Sequence, residues 1–224
     1  MTSAADGHGK PTTGFFKGQW GGGESLSGKG SSIEYTEKLR AALPSLIERY
    51  KVDVFLDAPC GDFNWMRKVD LPNTRYIGMD LVPDLINDNR AKYASPKRQF
   101  LVGDITLTPL PAADLMMCRD CLFHLPYDFI YRFFANFLNS NIPLLLLTSN
   151  LIAHNKDIPI PGRWRQLNMT RPPFSMPPAI ESIEDWIEGH PRRCMGLWVK
   201  AQVAEFLAKA PLNFGRDGSS PAQS

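Results

Sequence analysis

Two acids stand where a strand could deliver them to a ligand. Residues 52–62 read V-D-V-F-L-D-A-P-C-G-D, a short apolar run that ends in Asp57 and passes into a tight turn holding Gly61. Arg75–Asp80 reads R-Y-I-G-M-D and ends in a second acid, Asp80, 23 residues after the first. A strand that stops at such a turn leaves backbone N–H groups facing a crevice at its carboxyl end, where open α/β sheets bind ligands. An acid at the tip of the second strand can accept hydrogen bonds from both ribose hydroxyls. The spacing fits the roughly 20 residues of a nucleoside-binding βαβ unit. Further on, residues 118–124 read C-R-D-C-L-F-H. A neutral imidazole can take the proton of an attacking alcohol near pH 7, which makes His124 the leading candidate for a general base. The competing reading is a histidine that caps or packs the next helix. Asp120 is placed to orient His124 or to hold a divalent cation, and oxygen ligands favour magnesium over zinc or copper.

Hydrophobic spacing gives the elements that must position these residues. Residues 33–50 place Leu39, Leu43, Leu46 and Ile47 at helical spacing, with Ser32 as the cap. A strand over 52–57 and a short helix over 63–69 follow. Arg75–Asp80 is the second strand, and Pro83–Tyr93 is a helix with Pro in its first turn. Residues 98–103 form the third strand, followed by Asp104, and 113–118 the fourth. Residues 127–138 are an amphipathic helix with Ile130, Phe133, Phe134 and Phe137 inward, and 142–149 are the fifth strand. A late strand over 194–200 and a helix over 203–209 complete the pattern. Strands alternating with helices predict an α/β fold, a Rossmann-like, doubly wound, mostly parallel sheet.

After Asn150 the texture changes. Residues 150–178 are rich in Pro, Arg, Asn and His and have no period. A loop of that length inside a compact domain is functional or disordered, and Trp164, Leu167, Met169 and Phe174 argue for order. The segment is read as a flap over the site. It offers His154, Arg163, Trp164, Arg165 and Asn168 as acceptor-binding residues: polar groups for hydroxyls and an indole for a sugar face. The bland alternative is a solvated loop anchored by Trp164. The expected organisation is a flexible segment over 1–32, a single domain over 33–210 with residues 150–180 as its flap, and a tail over 211–224. Phe15, Phe16, Trp20 and Leu26 punctuate the glycines of the first segment, as expected of a stretch that partly orders over the site or makes a homodimer contact.

Composition narrows the function classes. The 224 residues are 43% apolar, enough for a sizeable core, and carry a net charge of +2 with both signs interspersed. There is no basic stripe of the kind that binds nucleic acid. No apolar run approaches a membrane span of roughly 20 residues, and there is no signal-peptide pattern. The expected location is the cytoplasm. Cys118 and Cys121 form one C-x-x-C, but no second ligand pair completes a zinc set, so Cys60, Cys118, Cys121 and Cys194 are expected to be reduced thiols.

The four strand ends, taken in order, resemble the class I S-adenosylmethionine (SAM) dependent methyltransferases over residues 33–150. That resemblance implies SAM as cofactor. It implies that Asp57, Ala58, Gly61 and Asp62 meet its methionine part, that Asp80 and Leu81 hold its ribose, and that Gly103, Asp104 and Ile105 hold its adenine. Cys118, Arg119, Asp120 and His124 would lie beside the sulfonium and the substrate, with Asp120 also placed for the ammonium end. Trp65 is placed near the cofactor or as a core anchor. One departure stands out: the family's turn is richer in glycine than P-C-G-D. A methionine carboxylate needs less room than a pyrophosphate, so the missing G-x-G-x-x-G weighs against NAD more than against SAM. The motifs D-A-P-C-G-D-F-N-W-M, C-R-D-C-L-F-H-L, G-R-W-R-Q-L-N and G-L-W resemble a narrower bacterial group. It comprises sugar and polysaccharide O-methyltransferases, those of mycobacterial methylmannose polysaccharides among them. The implied activity is methylation of a sugar or oligosaccharide hydroxyl. The alternatives are methylation of a small natural product and a SAM-binding module without chemistry.

Overall fold

A computed structural model describes residues 23–210. Its elements are α1 (Glu37–Arg49), β1 (Val54–Asp57), β2 (Arg75–Asp80), α2 (Pro83–Tyr93), β3 (Arg98–Val102), β4 (Leu115–Cys118), α3 (Tyr127–Asn139), β5 (Leu144–Asn150), β6 (Glu181–Glu184), β7 (Arg193–Val199) and α4 (Lys200–Ala208). The strands form one sheet in the order β3-β2-β1-β4-β5-β7-β6. Neighbours from β3 to β5 run parallel, and β7 runs antiparallel to both β5 and β6. This is the Rossmann-like, mostly parallel architecture that the sequence predicts.

Alternation along the strands explains why both faces are covered. Successive strand side chains point to opposite faces. Leu56, Met116, Leu145 and Leu147 join one core with Phe133, Phe134 and Phe137 of α3 and Phe206 of α4. Phe55, Leu115, Met117 and Leu146 join the other with Leu39, Leu43 and Leu46 of α1 and Ile86 of α2. The chain steps outward from β1 to β3 with α2 on one face, then from β4 to β5 with α3 on the other. Right-handed crossovers require that exchange when the stepping direction reverses. The reversal lies between β1 and β4, and it opens a crevice at their carboxyl ends.

The structure corrects several boundaries. The first helix starts at Glu37, not residue 33, because Ser32 organises a turn: its Oγ accepts the Tyr35 N–H at 3.2 Å, and Thr36 Oγ1 donates to its carbonyl at 2.8 Å. The helix expected over 63–69 shrinks to a 3-10 turn at Met66–Lys68, because Phe63 has φ +58°, outside helical space. The late strand begins one residue earlier than expected and α4 begins at Lys200. Strand β6 escaped the sequence reading, since its four residues E-S-I-E bury only Ile183.

Residues 151–178 contain no helix or strand, yet they are tied into the fold. Leu167, Met169, Phe174 and Met176 are buried in the core beneath α3 and α4. Asp157 Oδ1 accepts the Tyr127 N–H at 2.9 Å and caps α3, which begins after Pro126 and has no cap of its own. Phe15, Phe16 and Trp20, with the tail expected over 211–224, lie outside the described residues. Among the described residues no helix is long and apolar enough to cross a membrane.

The aromatic face of α3 should be the stability centre. Phe134 is fully buried, with ring centroids 5.2 Å from Phe133 and 4.9 Å from Phe206. Phe134→Ala is expected to cost about 3–5 kcal/mol in urea unfolding. A loss below about 1 kcal/mol would place the core elsewhere.

Candidate active site at the carboxyl ends of the strands

A cavity of about 840 Å³ lies over the carboxyl ends of the strands. That is near the top of the range of roughly 300–1,000 Å³ that holds small ligands. Asp57 closes β1, and its Oδ2 accepts a 2.8 Å hydrogen bond from the Tyr76 hydroxyl. Burial pushes its carboxyl up to about 7, against the lowering effect of Tyr76 and Arg119. Gly61 follows in a left-handed turn with φ +55°, and a Cβ there would sit 2.3 Å from Ser27 Oγ, so only glycine fits. The Gly61 N–H donates to Asp80 Oδ2 at 3.1 Å, and the Val82 N–H donates to Oδ1 at 3.0 Å. Burial raises the Asp80 carboxyl above its ordinary range, with those backbone donors opposing. After β3, Asp104 Oδ1 accepts the N–H and hydroxyl of Thr106 at 2.8 and 2.7 Å. Leu81, Gly103 and Ile105 join these acids in the cavity wall.

Residues 26–31 form the opposite wall. Ser25 Oγ lies 2.9 Å from each Asp62 carboxylate oxygen, and the Leu26 N–H donates to Oδ2 at 2.7 Å. Asn64 Nδ2 donates to Glu24 Oε1 at 2.7 Å. The Asp62 carboxylate therefore holds this strap, and Asp62 also lines the cavity.

At the tip of β4 the chain turns sharply. Asp120 adopts φ +54°, which a short polar side chain tolerates, and its N–H donates to Thr148 Oγ1 at 3.0 Å. Arg119 forks onto fully buried Asp185 at 3.0 and 2.9 Å and lies 3.3 Å from Asp120 Oδ2. Arg193 Nη2 donates to Asp120 Oδ2 at 3.0 Å and lies 3.0 Å from Asp185 Oδ2, its Nε donates to the Asp185 carbonyl at 2.7 Å, and its Nη1 lies 2.7 Å from Asp120 Oδ1. Tyr35 lies under Arg193 and Trp65 under Arg119, at 4.7 and 5.3 Å from ring centroid to guanidinium. Two guanidinium groups therefore occupy the Asp120 carboxylate, and they would repel a divalent cation. Asp120 does not fit the magnesium role the sequence left open for it.

His124 lines the cavity, with Nδ1 3.3 Å from the Arg163 carbonyl oxygen. A carbonyl only accepts, so Nδ1 carries the proton and Nε2 is the basic nitrogen. Burial lowers its pKa to about 4, which keeps the ring neutral at physiological pH.

The other expected residues divide. Trp65, Arg119 and Trp164 line the cavity. Ala58 and Cys118 do not: both are buried in the core, and the Ala58 N–H donates to the Met117 carbonyl at 2.9 Å. Of the five flap residues expected to bind the acceptor only Trp164 lines it. Arg165 is buried and donates to the carbonyls of Leu122 and Lys156, and Asn168 donates to that of Ile152. His154 and Arg163 are exposed away from it, although Arg163 supplies its carbonyl to His124. The sequence reading missed Tyr35, Asn150, His190, Pro191 and Arg193, all in the wall. For His190, Pro191 and Arg193 the one signal was G-H-P-R-R ahead of a late strand, which points to a site only once β7 is known to run antiparallel.

No protein-family model matches the chain, and no curated protein matches it. Solved structures do. Magnesium protoporphyrin IX methyltransferase from Synechocystis PCC 6803, with bound S-adenosylhomocysteine (SAH), is 11% identical at TM-score 0.56, over 75% of this chain and 84% of that one. Mitomycin 7-O-methyltransferase is 15% identical at TM-score 0.56, over 75% of this chain and 54% of that one. Human N-acetylserotonin methyltransferase, in complex with SAM, is 14% identical at TM-score 0.48, over 62% of this chain and 44% of that one. The chain thus spans about half the length of the latter two. At these identities the likeness is one of fold, and the fold is that of the class I methyltransferases.

Asp57 gives the site a proton-linked stability. An unfolded aspartate titrates near 3.9. Between about pH 4 and 7 the folded chain therefore holds a proton at Asp57 that the unfolded chain lacks, and stability falls as pH rises through that window. Asp57→Asn removes the effect. In urea unfolding its advantage over wild type should widen from pH 5 to 7.5, and a gap independent of pH would refute the assignment.

Proposed function

We propose that the chain is a SAM-dependent O-methyltransferase acting on a hydroxyl of a sugar or oligosaccharide. The observation that carries the reading is the charge of the cavity. Seven aspartates line it, at positions 57, 62, 80, 84, 88, 104 and 120, against three basic residues, Lys29, Arg119 and Arg193; burial lifts Asp57 to about 7 and Asp88 pairs with Lys92, so the acidity of the wall rests chiefly on Asp62, Asp80 and Asp104. Both arginines are committed to Asp120 and Asp185. Such a wall favours a ligand bearing a sulfonium and an ammonium and repels a pyrophosphate.

The residues take roles that follow from their places. Asp80 accepts from the ribose hydroxyls. Gly103, Asp104 and Ile105 bound the adenine. Asp57 and the Gly61 turn face the methionine part. SAM supplies an electrophilic methyl group: the acceptor oxygen forms the new C–O bond as the C–S pair returns to sulfur, leaving SAH. His124 Nε2 takes the hydroxyl proton, and its low pKa keeps that nitrogen unprotonated. Trp164, 54% exposed with its ring 6.3 Å from Phe123, offers an indole face for a sugar ring at the mouth. Phe123, Leu125 and Phe129 in the same wall favour a second reading, a planar small-molecule acceptor.

Calorimetry with SAH tests the cofactor. Wild type should bind in the micromolar range, and Asp80→Asn should weaken binding about tenfold or more, the loss of hydrogen bonds to a charged acceptor. A nicotinamide dinucleotide binding more tightly than SAH would overturn the reading. His124→Ala should lower methyl transfer about 10²–10⁴-fold while leaving SAH affinity within twofold. The acid limb of the wild-type rate due to His124 should fall near pH 4 and vanish in His124→Gln. Unchanged turnover would remove His124 from the chemistry.

A further inference from the structure

Asn150, the last residue of β5, is 97% buried by its 3% exposure, yet it lines the cavity. Its backbone N–H donates to the Leu167 carbonyl at 2.6 Å, and its side-chain Oδ1 accepts the Leu167 N–H at 3.0 Å. The orientation of the amide is therefore fixed, because a backbone N–H can meet only the oxygen end. The nitrogen end, Nδ2, is then directed away from residue 167. Among the described residues no acceptor meets it, although the amides of Asn155 and Asn168 in the same flap donate to backbone carbonyls. The residue is buried as a whole, but its Nδ2 is not sealed off: it opens on the cavity that Asn150 lines and stands there as a donor.

We propose that Asn150 Nδ2 is a specificity-determining donor that binds an oxygen of the acceptor. The inference rests on the proposed function and narrows its substrate class. The acids expected to hold the cofactor stand at β1, β2 and β3, whereas β5 lies beyond β4 on the side of His190, Pro191 and Arg193. A donor there meets the second substrate. A hydrogen bond to the attacking oxygen would draw down its nucleophilicity, so the oxygen bound by Nδ2 is a neighbouring one. The acceptor accordingly carries a second oxygen close to the hydroxyl that is methylated, as a vicinal diol does. Thr148 Oγ1 and Ser149 Oγ, just upstream, are already engaged with Asp120 and Met169 and do not compete for it.

Asn150→Asp is the discriminating variant. It keeps an oxygen for the Leu167 N–H and the shape of the side chain, but it replaces the donor by an acceptor. Asn150→Ala, which also releases Leu167, reports the purely structural cost. The probes are methyl glycosides of the gluco, manno and galacto series, added to SAH-loaded protein labelled with ¹⁵N at asparagine. The side-chain amide signal lost in Asn150→Asp should shift saturably with at least one glycoside. Affinity for that glycoside should drop about tenfold in Asn150→Asp, while SAH affinity stays within twofold and the melting temperature stays above that of Asn150→Ala. The proposal is overturned if SAH affinity falls tenfold in Asn150→Asp, which would make Asn150 a cofactor residue. It is equally overturned if glycosides bind without moving the Asn150 signal, or if none binds SAH-loaded protein. Failure of wild type to bind SAH would instead refute the cofactor assignment itself.

Discussion

Arg119 and Arg193 each grip the same two carboxylates, Asp120 and Asp185, and most of the site's geometry hangs on that cluster. It is neutral as a set, so two guanidinium groups can be buried without net charge. Its members come from the tip of β4, the residue after β6 and the start of β7. By joining them it fixes the edge of the sheet that faces the ligand. It also draws in the strap: Tyr35 stacks on Arg193, and Gly30 lies so near Asp120 that a Cβ would approach Oδ2 to 2.7 Å. Buried ion clusters of this kind add little net stability compared with apolar packing, because desolvation offsets the attraction. What the cluster contributes here is direction. It holds Asp120 in a left-handed conformation and sends the chain from β4 toward His124.

The order of the strands sorts the cavity by charge. The β3, β2 and β1 ends carry acids, with Asp57 lifted to about 7 and Asp80 raised by burial, and the β4 and β7 ends carry charges that cancel within the arginine cluster. A cationic ligand would be drawn to the first of these ends by electrostatics. The neutral ring of His124 lies along the way, held by a carbonyl of the flap. Burial depresses its pKa, and the same burial makes it the form able to accept a proton.

Much of the sheet could be read from the sequence, since local patterns encode it. Arg75–Asp80 and Pro83–Tyr93 matched to the residue because an apolar run ending in an acid, and a proline in a first turn, are short-range statements. The acids of the cavity wall at β1, β2 and β3 were legible for the same reason: Asp57 and Asp80 close their strands and Asp104 stands two residues beyond its own. The wall beyond β4 was not. Arg165 and Asn168 have the composition of a binding loop, but their polar groups satisfy backbone carbonyls, and composition cannot tell the two uses apart. Asn150, Asp185 and Arg193 gain their roles only from partners 17 to 73 residues away. Strand β6 was invisible because one buried side chain makes no period.

The strap has a consequence for the order in which the molecule can be built. Residues 24–35 leave the ribosome before any strand, but their partners arrive late: Asp62 after β1, Asp120 after β4, and Arg193 near the end of the described chain. Contacts of such separation are entropically slow to close. Residues 24–35 are therefore among the last of the described residues to settle, and the cavity they wall is complete only when β7 has docked. A partly folded chain in which β7 has not docked would lack this wall, and ligand occupancy would report its docking.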